Sequence, residues 1–178
     1  MTAEPSSRGL DRFFAGMAEN VFQSQLGVAD PPMVDYLSQL LIRFIRMDAV
    51  QRVRNPRGKQ LGAIGEMLSE AEARVGDARR EVHRHIGDFA LFWAGIYPET
   101  LRRARGAEAY DFYGDYCQHG KHAYYIASTI EASSETDANN DVLQRLSKEF
   151  EMCAYGLREV RREWERSHEG DDPPLLLS

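Results

Sequence analysis

A chain of 178 residues with 43% hydrophobic and 28% charged side chains carries enough apolar material for one ordinary globular core, which excludes a wholly disordered polypeptide. Its formal net charge of −6 argues against general nucleic-acid binding, and no stretch approaches the roughly 20 apolar residues of a membrane-spanning helix. The first hydrophobic block, Phe13 to Phe22, follows Arg8, Asp11 and Arg12 and is interrupted by Glu19 and Asn20, unlike the unbroken apolar run of a signal peptide, so a cytoplasmic location is expected.

Apolar residues recur at three- and four-residue steps throughout, with no long alternating run of β-branched residues, so an all-α single-domain bundle of about six helices with antiparallel neighbours is expected. The helical domain is expected over 10–167, with flexible segments at 1–9 and 168–178. The first helix spans Leu10 to Leu26, presents Phe13, Phe14, Met17, Val21 and Phe22, and stops at Gly27. Asp30-Pro31-Pro32 starts the second, because Asp can cap orphan amides and proline fits a first turn. Asn55-Pro56-Arg57-Gly58 ends it.

A third, weaker helix follows from Lys59 to Val75, interrupted by Gly62 and Gly65 and closed by Gly76. Asp77 is the expected N-cap of a fourth helix running to Tyr97, with Val82, Ile86, Phe89, Trp93 and Ile96 on one face. Pro98 breaks it. A short basic helix from Pro98 to Arg105 ends at Gly106, and a long one follows from Glu108 to Ala132. Ser133 to Asn140 is a loop. Asn140 or Asp141 caps the last helix, whose stripe of Leu143, Leu146, Phe150, Cys153, Leu157, Val160 and Trp164 is the cleanest amphipathic pattern in the chain. Leu175, Leu176 and Leu177 on the terminal segment could dock on this domain or on a neighbour.

Side chains that can do chemistry concentrate on the fourth and long fifth helices. Glu81 and His85 stand one turn apart, as do Asp115 and His119. Two such helices facing each other would offer four ligands, with Asp88 nearby, to iron, manganese or zinc. At about 100° per residue His85 falls at the edge of the face carrying Phe89, Phe92 and Trp93, whereas His83 points away and is expected to be solvated. His119 falls at the margin of its own helix's apolar face, which weakens the second half of such a site, and neither of these two helices carries the Glu-x-x-His pair of di-iron bundles. The competing structural reading makes His85 a hydrogen-bonded histidine at the core edge.

Phe89, Trp93, Tyr97, Tyr113, Tyr116 and Gly120 form a second candidate, a pocket for an apolar or planar ligand, though such residues more often pack against each other. Cys117 and Cys153, lacking CxxC spacing, read as small core residues. Catalysis by an activated serine or cysteine finds no motif here.

Charge is uneven. Residues 43–105 carry 13 Lys+Arg against 8 Asp+Glu, a net +5, and the remainder carries −11. Arg43, Arg46, Arg52, Arg54 and Arg57 could present a surface to an anion or a protein partner, joined by Arg79, Arg80, Arg84 or Arg102. The leading expectation is a non-catalytic helical interaction or regulatory protein, homodimeric, whose partner is itself or another protein. The alternative is a helical metal- or small-molecule-binding protein, with an oxidoreductase among the options, using a His/carboxylate site between the helices at 77–97 and 108–132.

Overall fold

In the computed structural model residues 7–51, 63–102, 112–133 and 138–167 are described, and among them the chain is helical with no strand. Eight α-helices follow one another: α1 (Ser7–Glu19), α2 (Pro31–Gln51), α3 (Ala63–Glu72), α4 (Gly76–Ile96), α5 (Pro98–Arg102), α6 (Phe112–Thr129), α7 (Asn140–Lys148) and α8 (Phe150–Ser167). A π-helical segment, Asn20–Gln25, extends α1. The all-α expectation holds, with eight helices where about six were expected.

Each of the seven segments read from the sequence holds a helix, and the eighth helix has a local cause. Pro98 and Tyr97 divide α4 from α5 as expected, but the expected last helix also divides, at Glu149, whose backbone leaves helical geometry (φ −103°, ψ 25°). The break costs little hydrogen bonding, because Glu149 N–H still donates to the Arg145 carbonyl at 2.8 Å and Cys153 N–H to the Glu149 carbonyl at 2.9 Å. The apolar stripe therefore continues across the break, with Leu143, Leu146, Phe150, Cys153, Leu157, Val160 and Trp164 all buried.

Several boundaries differ from expectation. The first helix begins at Ser7, inside the segment expected to be flexible. Gly27 stops it as expected, with φ +67°. Asp30 Oδ1 accepts from Met33 N–H at 3.3 Å, as a cap should. Gly76 (φ +59°) opens α4 instead of closing α3, and Val75 occupies the N-cap position expected for Asp77. The N-cap of α7 is Asn139, whose side chain accepts from Val142 N–H at 2.8 Å, one residue before the expected positions. The end signal at Asn55–Gly58, Gly106 and the Leu175–Leu177 tail lie outside the described residues.

Contacts group the chain into two compact units, Met1–Arg54 with Tyr155–Ser178, and Asn55–Ala154. A single bundle read along the chain does not anticipate this grouping, because the first unit joins the two ends of the sequence. Inside it α1 packs on α2. Phe14 stacks on Trp164 with ring centroids 5.2 Å apart and planes 14° from parallel. The Phe22 ring occupies the space where a Cβ on Gly156 would stand. Those two contacts place α1 and α8 antiparallel. Exposed faces of α8 are laced by short-range ion pairs, Glu159–Arg162, Arg161–Glu165 and Glu163–Arg166.

In the second unit α4 lies against α6, α3 and α5, and α6 against α7. Contact with several helices buries α4 on more than one side. Arg80, His83, Gly87, Ala90, Leu91 and Ala94 are buried as well as Ile86, Phe92 and Ile96. That second buried face overturns the expectation that His83 is solvated.

Candidate functional site

The contact of α4 with α6 is built on small residues. A Cβ on Gly87 would lie 2.6 Å from the Tyr124 ring, and one on Gly120 would lie 2.5 Å from the Phe150 ring and 3.0 Å from Ala90 Cβ. Glycine therefore lets α4 and α6 come together with whole aromatic rings between them. The Tyr124 ring, fully buried, projects its hydroxyl to donate to Asp88 Oδ1 at 2.6 Å, and Asp88 is itself only 1% exposed. A buried carboxylate is costly unless hydrogen-bonded, so this pair forces the register of the two helices.

That geometry decides the proposed metal cluster. Asp88 is turned into the helix contact, whereas His85, His119 and Glu81 are exposed and Asp115 is half-buried. Glu81 accepts from Arg84 at 3.2 Å and from Arg80 at 3.3 Å. Among the described residues no group of three or more His, Cys, Asp or Glu side chains is placed to hold a metal ion. Glu81, His85, Asp88, Asp115 and His119 therefore do not assemble into the cluster drawn from their spacing. The buried face of α4 is not centred on its large aromatics. The centre is the Gly87–Ala90–Ala94 side, and Phe89 and Trp93 are only half-buried.

The aromatic candidates do assemble, on each other. Ring centroids of Phe89 and Trp93 are 6.3 Å apart, Phe89 and Tyr116 6.1 Å, Trp93 and Tyr97 5.0 Å, and Phe92 and Tyr97 5.8 Å. These tilted and edge-on contacts are favourable aromatic packing. Burial pushes the Tyr116 hydroxyl up to about 12, so it stays neutral at physiological pH. Arg102 lies over the Tyr113 ring, 4.1 Å from its centroid. Tyr113 shares a hydrogen bond with Cys117, whose thiol is pushed up by burial and is a weak nucleophile near neutral pH. Gly120, offered as room for a ligand, is filled by Phe150 and Ala90.

Arg80 is the functional-looking residue that linear reading misplaced. Assigned to a basic surface, it is instead 1% exposed. Its guanidinium donates to the Ala138 carbonyl at 2.5 Å and to Asn140 Oδ1 at 2.9 and 3.2 Å. Asn140 in turn donates to the Ile130 carbonyl at 3.1 Å. Beside it Asp77 accepts from the Ser133 amide at 3.1 Å and from the Ser133 hydroxyl, and these bonds hold its carboxyl below the usual range. Together they clasp the α6–α7 connection to the start of α4. Planar arginine suits such multiple carbonyl acceptors, which is the signal its sequence neighbours could not reveal.

Of the remaining arginine candidates, Arg46 pairs with Asp11 at 2.9 Å, and Arg43 lies 6.0 Å from the Tyr36 ring centroid. Arg52, Arg54 and Arg57 lie outside the described residues.

His83 is 4% exposed and its Nδ1 has no hydrogen-bond partner. Burial holds its pKa below 6.5, reinforced by the nearby Arg79 and His122. A neutral imidazole is thus enclosed where α4 is buried. Scans against protein-family models, curated proteins and solved structures each returned no match.

Proposed function

We propose that the protein is a non-catalytic helical interaction protein that acts as a homodimer and binds a protein partner. The observation that carries this reading is the exposure of large aromatic side chains on α1, α6 and α8: Phe13 is 37% exposed, Tyr125 53% and Tyr155 51%. Aromatic residues are enriched in protein interfaces because each offers a large, stiff contact area at low entropic cost. Two polar groups are bonded into the packing instead, Asp88 between α4 and α6 and Arg80 between α4 and the α6–α7 connection, which supports a scaffold in preference to a reaction centre. Sedimentation velocity over a wide concentration range tests the reading. A rise from monomer to dimer mass is the expected result, and a monomer at near-millimolar concentration overturns the homodimer.

A further inference from the structure

The outer face of α1 has a feature that its inner face does not explain. At about 100° per residue, Gly16 marks the centre of that face, with Arg12 and Glu19 about 40° and 60° to one side and Phe13 about 60° to the other. Arg12, Gly16, Glu19 and Asn20 are all exposed, Phe13 is 37% exposed, and Met17, beyond Phe13 on the same side, is half-buried. Nothing lies within 4 Å of the place a Cβ on Gly16 would take, so the helix backbone itself is accessible there.

Phe13 is also held in place from below. Its ring meets Phe14 edge-on at 5.5 Å and Trp164 edge-on at 5.2 Å. A ring so supported loses little rotamer freedom when something covers it, which is the property of an interface anchor.

We infer that α1 is a self-association surface, and that its occupant is α1 of a second copy of this chain, packed antiparallel across Gly16. The assignment rests on the homodimeric reading above and names the contact. Charge complementarity selects both the occupant and the direction. In a two-fold antiparallel helix pair each edge of one helix meets the same edge of the other, so that residues adding to a constant number face each other. A pair centred between Ala15 and Gly16 sets Arg12 of each copy beside Glu19 of the other, making two symmetric opposite-charge contacts. A parallel pair would set opposite edges together and separate those charges. On the other edge the Phe13 ring of each copy lies over Gly16 and against Met17 of its partner, and glycine permits the close backbone approach this needs. Asp11, the other acid of α1, is engaged on the opposite side by Arg46 of α2.

One helix face is a small interface, at the low end of the sizes seen for specific complexes, so the dimer should form and dissociate with concentration. The test measures dimer dissociation by sedimentation for the wild type, Gly16→Lys, Arg12→Glu, Glu19→Arg and an equimolar mixture of the last two. Gly16→Lys is expected to weaken the dimer by at least about tenfold while leaving the thermal melt of the monomer intact, since lysine is the better helix former and has open space there. Arg12→Glu and Glu19→Arg should each weaken self-association several-fold. Their mixture should associate more tightly than either alone, because each heterodimer restores both opposite-charge contacts. A wild-type dimer unchanged by Gly16→Lys, with no preference for the mixed pair, overturns this surface and leaves the homodimer standing. A wild type that never dimerises overturns both.

Discussion

Two glycines in the interiors of helices, Gly16 in α1 and Gly87 in α4, are equivalent by propensity and opposite in environment. The Cβ of Gly16 would meet nothing within 4 Å, whereas that of Gly87 would run into the Tyr124 ring at 2.6 Å. One glycine keeps a helix surface open, and the other makes room inside a helix contact. A helix-weakening glycine leaves room beside the backbone, and only the folded molecule shows whether that room is filled, as at Gly87, or open, as at Gly16.

The contrast can be broken by substitution. Gly87→Ala is expected to have the largest effect, a loss of about 3 kcal/mol, because the added methyl must displace an enclosed ring and disturb its bond to Asp88. Urea denaturation measures it, and a loss below about 0.5 kcal/mol would show that α4 and α6 can separate cheaply. Tyr124→Phe keeps the ring and removes only the hydroxyl, leaving the buried Asp88 carboxylate without this donor. The expected cost is about 2 kcal/mol by the same measurement. Gly16→Ala should act in the opposite direction, raising monomer stability by up to about 1 kcal/mol, since the helix gains propensity and no neighbour is touched.

The smallest expected effect is on pH. Burial lowers the folded-state pKa of His83 below 6.5, so the unfolded chain binds the proton more readily. The contribution of neutral His83 is therefore complete above about pH 6.5 and is lost progressively as pH falls from there toward and through its folded value. Stability curves at several pH values for the wild type and His83→Phe should diverge in slope only across that window. Parallel curves would place the imidazole in water and undo the account of α4 as a helix buried on two sides.

How far the sequence could be read depended on what each residue needed to know. The stripe from Leu143 to Trp164 was legible because helical periodicity alone predicts a shared face, and every member is buried. Gly27 was legible because a positive φ is a local requirement. His83 was not, because a single wheel assumes one buried face and α4 packs against several helices. Nor was Arg80, whose acceptors Ala138 and Asn140 lie about sixty positions away and become neighbours only when the α6–α7 connection folds back on α4.

The sequence by itself determined that this chain is helical and approximately where most of the described helices lie, since periodicity, proline, glycine and capping side chains act within a few residues. Tertiary structure decided which faces are inside, and with that it turned a drawn metal cluster into separate side chains and a supposed surface arginine into a buried clasp. The physical reason is range. Helix formation is governed by neighbours along the chain, while burial, hydrogen-bond partners and the room beside a glycine are set by segments that meet only in the folded molecule.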